Sequence, residues 1–170
     1  MESSQKKYFC NSIYIEVKYR RFTTDELVGL EEDFSKYLVI NGITSDDWLR
    51  LKSSETQKAE DIIDTFSDVI WQSILRKAQY IDLYEAQVIT SYHCDAEAIT
   101  MCGLFTKDAS FDFTTAESIA LARNAPPKDL EYFSSKKVYT KSREEEIYDL
   151  IFRGGQISKG ELYNSLESSK

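Results

Sequence analysis

Apolar positions along this chain follow two periods. From Leu27 to Leu38 they recur every three or four residues: stepping 100° per residue from Leu27, the positions Leu30, Phe34, Tyr37 and Leu38 fall within about 100° of arc, a core-facing helical stripe. Thr23 with Glu26 three residues on has the capping-box arrangement, and Asn41-Gly42 can take the left-handed conformation that ends a helix. The pattern therefore predicts one helix between Thr23 and Asn41. A short second helix restarts at Thr44 or Ser45, with Asp46 and Asp47 in the first turn where the macrodipole favours anions, and with Trp48 and Leu51 as anchors. Ser54 with Gln57 opens the longest helix, to about Lys77, whose Ala59, Ile62, Ile63, Phe66, Val69, Ile70, Ser73 and Ile74 share one side.

From Tyr80 the period drops toward two and β-branched and aromatic residues become frequent. Three strands are expected, Tyr80 to Tyr84, Val88 to Cys94 and Ile99 to Phe105, antiparallel because their connections are short. Asp95-Ala96-Glu97 makes the last two a hairpin. A helix then runs from Thr114 or Thr115 to about Arg123 and is ended by Pro126-Pro127. Lys128 to Lys141 reads as a connector with one helical turn at Asp129 to Phe133. Ser142 with Glu145 caps a helix carrying Ile147, Leu150 and Ile151, Gly154-Gly155 stops it, and Ser158 with Glu161 caps a last helix with Leu162, Tyr163 and Leu166. Ahead of all this, Ile13, Ile15 and Val17 alternate with Tyr14, Glu16 and Lys18 as in a half-buried strand, behind a loose leader from Met1 to Asn11. The expected architecture is α+β, mostly helical, with five to six helices and a small antiparallel sheet of three to four strands. Residues 1–16 form an N-terminal extension, and residues 17–167 a single domain ending in a helical hairpin at 142–167.

Composition narrows the function classes. A chain of 170 residues buries roughly 70% of its unfolded surface and supports its own core. With 42% apolar and 13% aromatic residues, two prolines and six glycines, it is neither disordered nor fibrous. The formal charge of −8 weighs against broad binding of a phosphate backbone, which needs a positive surface. The first twelve residues are polar and carry no secretory pattern, and no apolar run approaches the ~20 residues that span a bilayer. Three cysteines, Cys10, Cys94 and Cys102, have no ligand-like spacing and fit reduced thiols. A cytoplasmic protein without membrane contact is the expectation.

Few residue groups invite chemistry. Asp61, Asp64 and Asp68 share a helical face and could meet a divalent cation, but they lie roughly 140° from the apolar side, so the wheel makes them a solvated face. His93 is the single histidine, so any His-dependent nucleophile must use it. Its neighbour Cys94 points to the opposite face of a strand. Cys94 and Cys102 could face each other across the hairpin, though two buried small apolar residues account for them equally well, and a zinc site from His93, Cys94, Cys102 and Cys10 lacks paired ligand spacing. Gly155 to Leu162 copies the glycine spacing of a phosphate loop, yet Glu161 and Leu162 stand where lysine and a hydroxyl are needed. The Ser142 to Leu166 segment, offering Lys159 alone on its last helix, suits packing or partner docking better than reading DNA. The remaining basic feature is Lys18-Tyr19-Arg20-Arg21-Phe22, which could hold phosphates and stack bases ahead of a helix N-terminus, or pair with acids such as Asp25 and Glu26.

Lys18-Tyr19-Arg20-Arg21-Phe22-Thr23, followed by Glu26-Leu27, Asn41-Gly42-Ile43-Thr44 and Asp47-Trp48, resembles the opening of an uncharacterised bacterial family of unknown function. Arg143 to Leu166, with its Gly-Gly turn and Ser-Lys-Gly-Glu-Leu-Tyr run, is similar to that family's end. In such proteins the Lys-Tyr-Arg-Arg run sits at the very start. The resemblance thus implies a domain beginning near Val17, residues 1–16 being a lineage-specific extension or translation from an upstream start. It implies no activity.

The reading that emerges has no catalytic residues, cofactor or metal: a non-enzymatic interaction or assembly domain whose partner is another protein. The alternatives are a nucleic-acid or nucleotide binder through Lys18, Tyr19, Arg20 and Arg21, and an enzyme using His93 with Cys94 or Cys102.

Overall fold

The computed structural model describes residues 7–10 and 13–168. The chain divides into two compact units, Met1–Ile74 and Leu75–Lys170. Among the described residues it holds seven helices, a two-stranded ribbon and a five-stranded sheet, more than the five to six helices and three to four strands expected. No described helix is long and apolar enough to cross a membrane.

In the first unit, β1 (Lys7–Cys10) pairs antiparallel with β2 (Ile13–Glu16), Lys7 opposite Glu16 and Cys10 opposite Ile13. The leader expected to be loose therefore contains a strand. Its positions 1–6 and 11–12 lie outside the described residues. The helix expected from Thr23 to Asn41 is two: α1 (Thr24–Val28) and α2 (Glu31–Ile40). Thr23 closes the capping box with Glu26 as the spacing requires, but Gly29 ends the first helix and Leu30 leaves helical geometry at ψ 15. A glycine inside a helix costs about 1 kcal/mol against alanine, and Glu31, Glu32 and Asp33 make a favourable new first turn, so a break here is the cheaper course. Thr44 and Asp47 form a second capping box for α3 (Ser45–Ser54), and α4 runs from Thr56 to Lys77. Phe34 meets the edges of Trp48 at 5.2 Å and Phe66 at 4.9 Å, and Tyr37 lies 5.4 Å from Phe66, so aromatic contacts join α2, α3 and α4.

In the second unit, β3 (Tyr80–Tyr84), β4 (Val88–Cys94) and β5 (Ala98–Phe105) form the expected antiparallel core of a sheet ordered β6-β5-β4-β3-β7. The two outer strands were not expected. β6 (Glu131–Val138) occupies the segment read as a connector with a helical turn. Its Phe133 lies opposite Gly103, and a Cβ at Gly103 would collide with that ring and with the Ile89 carbonyl, so the bare glycine seats the aromatic. β7 (Gln156–Ser158) pairs with β3. Residues 142–167 are thus helix, strand, helix: α6 (Arg143–Phe152), β7 and α7 (Glu161–Glu167). On one face of the sheet Ile89 packs with Phe111 and Phe113, covered by Ile119 and Ala122 of α5 (Ala116–Asn124) and by Leu162 of α7. Toward the opposite face, Leu150 of α6 and Ile81 of β3 close around Gly155.

Candidate functional site

The basic arm ahead of α1 is held down residue by residue. Its backbone comes first: the Lys18 and Tyr19 N–H groups donate to the two carboxylate oxygens of Asp68, each at 2.9 Å. Burial raises the Asp68 carboxyl above its ordinary range. The Tyr19 hydroxyl donates to Gln72 at 3.1 Å and the ring is buried. Arg20 grips Glu26 with both terminal nitrogens, at 2.8 and 2.7 Å, while its guanidinium lies 5.3 Å from the Trp71 ring. The Arg20 bidentate grip, with the Thr23 amide, pulls Glu26 down to about 2. Arg21 reaches Asp64 at 2.5 Å through Nε, Glu60 through Nη1 and the Glu60 carbonyl at 2.9 Å through Nη2. Those bonds, Asp64 foremost, raise its pKa further above the ordinary arginine value. Phe22 stacks on Trp71 at 5.1 Å, and the Trp71 indole N–H donates to the Arg20 carbonyl at 3.1 Å.

Two of the four candidate binding residues, Tyr19 and Arg21, are therefore committed to α4. Arg20 meets Glu26, one of the acids named in the pairing alternative, whereas Arg21 meets Glu60 and Asp64. This corrects the solvated-face reading of Asp61, Asp64 and Asp68. The wheel places them opposite the helix's apolar side, and the arm docks there, taking Asp64 and Asp68; Asp61 accepts from Gln57 at 2.9 Å.

His93 and the cysteines are arranged for packing. The His93 ring stacks on Tyr80 at 4.8 Å and lies 5.4 Å from Tyr163, with the Tyr80 ring against Gly160, where a Cβ would come within 2.8 Å of it. Cys94 sits opposite Ile99 and Cys102 opposite Ser91. Residues 91 and 94 are three apart on one strand, so the two thiols lie on opposite faces and do not meet across the hairpin. His93 shares its face with Cys102 and not with Cys94. Cys94 and Cys102 are buried, and burial pushes the Cys94 thiol up to about 11, away from the thiolate that a nucleophile needs. Among the described residues no group of three or more His, Cys, Asp or Glu side chains gathers as a metal site; the side chain of Cys10 lies outside them.

Sequence reasoning passed over a polar corner in the second unit. A groove of about 390 Å³ has Ile99, Met101, Tyr92 and Leu150 as apolar lining and Lys137, Lys141, Glu146, Asp149 and Arg153 as charged lining. Glu146 is only 7% exposed and accepts from Lys137 Nζ at 2.5 Å, from the Thr140 amide at 2.6 Å and from its hydroxyl at 3.1 Å. The Lys137 ammonium and these donors hold its carboxyl down at about 2. Next to it, Arg143 spends its guanidinium on the carbonyls of Leu75 at 2.9 Å, Ala78 at 2.5 Å, Cys94 at 2.9 Å and Asp95 at 3.1 Å. It thereby satisfies carbonyls at the end of α4 and of β4. In sequence this corner shows only as a run of acids in the first turn of a capped helix.

Fold and sites together define an α+β protein with an antiparallel sheet, whose charged clusters close contacts within the chain. A family model described as a family of unknown function (DUF6495) matches residues 17–170, and the chain belongs to that family. No curated protein and no solved structure matches it.

Proposed function

We propose that the chain is a non-enzymatic, cytoplasmic interaction or assembly domain that binds another protein. The observation that carries this reading is an apolar pair at the end of α2: Val39 and Ile40 are adjacent, 74% and 83% exposed, on a helix whose Leu38 is buried. Scattered single apolar residues are ordinary on a surface, whereas a neighbouring β-branched pair this far exposed offers an anchor that gains by being covered. The arm supports the same reading, since its arginines are occupied by carboxylates. The test is a pull-down from the native host with the wild-type chain and with Val39→Asp/Ile40→Asp, hydrogen exchange confirming that both are folded. A stable partner retained by the wild type and lost by the variant is expected. Recovery of none, or of the same partners by both, overturns the proposal.

The nucleic-acid alternative keeps Lys18 and Arg20, both exposed at the arm. It requires binding to single- or double-stranded probes that weakens steeply with salt and with Lys18→Ala/Arg20→Ala. Absence of binding at low salt removes it.

A further inference from the structure

The edge of the sheet at β6 carries an inference that does not depend on the Val39–Ile40 pair. Among the described strands β6 pairs with β5 alone, in an unbroken register from Ala98 opposite Val138 to Phe105 opposite Glu131. That register fixes which backbone groups face outward. Asp95 donates to the Ala98 carbonyl and Thr106 to the Gln87 carbonyl, which sets the alternation along the β4–β5 ladder. His93–Thr100, Ser91–Cys102 and Ile89–Leu104 are then its remaining hydrogen-bonded pairs. Ile99, Met101, Gly103 and Phe105 turn their N–H and C=O groups to β6 instead, where they meet Lys137, Ser135, Phe133 and Glu131. The groups of Tyr132, Ser134, Lys136 and Val138 are left pointing out of the sheet. From Ser134 to Val138 every residue is exposed, and the strand has neither the proline nor the bulge that commonly blunts an edge.

We propose that β6 pairs with β6 of a second copy of this chain, antiparallel about a twofold axis at Ser134, joining the two sheets into one. Outward groups can only meet outward groups, so the register must match even-numbered positions to even-numbered ones. Centring on Ser134 does so: Ser134 faces its own copy and Tyr132 faces Lys136 of the second copy, about six hydrogen bonds over three such pairs. The intervening positions then set Glu131 opposite Lys137 of the second copy, twice by symmetry, in the pairs where side chains approach most closely. Lys137 bonds Glu146 in its own chain, and an ammonium has three donors, so it can serve both acids. Centring one residue later sets Phe133 opposite Lys137 and leaves Glu131 without its cation. Lys137, which would repel a foreign strand edge, is thus answered by Glu131 of the same strand read backwards. An acidic strand of another protein would satisfy Lys136 and Lys137 but would leave Glu131 unanswered.

Sedimentation equilibrium on the full chain tests this. The average mass should climb from 19.7 kDa toward twice that value as concentration rises into the sub-millimolar range. Ser134→Pro removes an outward N–H that the chain's own ladder does not use, so the monomer should stay folded while dimerisation weakens about 100-fold. Glu131→Lys should weaken it about tenfold, and Glu131→Lys/Lys137→Glu should restore it. Without any variant, the amides of Tyr132, Ser134 and Lys136 should exchange more slowly in concentrated than in dilute samples, and those of Phe133 and Ser135 should not change. A mass fixed at 19.7 kDa throughout overturns the proposal, as does a dimer indifferent to Ser134→Pro whose outward amides exchange alike at both concentrations. Because β6 and Val39–Ile40 lie in different units, either proposal can fail alone.

Discussion

The arm at Lys18–Phe22 and the corner around Glu146 are both clusters of cations and carboxylates, built on opposite plans. At the arm the charge is spread: Arg20 and Arg21 meet three acids, and two of those, Glu26 and Glu60, have side chains 39% and 44% exposed. At the corner one carboxylate, only 8% exposed as a side chain, takes donors from Lys137, Thr140 and Lys141. Exposed ion pairs contribute from nothing to about 1 kcal/mol, whereas each part-buried amide left without its acceptor costs about 1–3 kcal/mol. The more conspicuous cluster in sequence should therefore be the weaker one in energy, its firmest element being the pair of backbone amides on Asp68.

The largest effect expected is at Glu146. Glu146→Ala takes the acceptor from the part-buried Thr140 and Lys141 amides, while the Lys137 ammonium, on a side chain 60% exposed, returns to water; the two unmet amides should cost about 3 kcal/mol in urea denaturation. The carboxyl is held at about 2 against an ordinary 4.5, so its stabilisation is complete above pH 4.5 and is lost as pH falls toward 2. Glu146→Gln should accordingly flatten the stability profile across that window. Asp68 has the opposite sign. Its folded pKa lies above the ordinary value, so its ionised form works against the fold at neutral pH, and protonation relieves that as pH falls. Asp68→Ala leaves the Lys18 and Tyr19 amides unmet and should cost about 2 kcal/mol, with faster hydrogen exchange confined to those amides. Smaller still, Arg20→Ala should cost under about 1 kcal/mol and lose even that in high salt, because Glu26 is near the surface. A loss at Arg20 as large as that at Glu146 would erase the distinction between the two clusters.

These plans also explain what could be read in advance. Thr23 with Glu26, and Ser142 with Glu145, are signals contained within four residues, and both capping boxes form. β3, β4 and β5 were legible because their alternation is dense and their turns short. β6 was not, since an edge strand with Ser134, Ser135, Lys136 and Lys137 exposed has no buried period to display. β7 spans three residues and exists because β3 offers it an edge, a fact lodged some seventy positions earlier in the chain. At the candidate site, the wheel correctly set Asp64 and Asp68 away from the apolar side of α4. It carries no information on which backbone segment lies there, and Arg21 comes to Asp64 from 43 positions away. Arg143 escaped notice for the same reason, as its four acceptors are all backbone carbonyls.

Both tryptophans, Trp48 and Trp71, belong to the first unit, and Trp71 forms the floor on which the arm lies. Stacked on Phe22, hydrogen-bonded to Arg20 and almost wholly shielded from water, its indole is a built-in optical label. With Trp48→Phe as background, emission should shift to longer wavelength whenever the arm leaves α4. The attachment of five residues could then be followed in real time, without a dye, in the presence of any partner that competes for them.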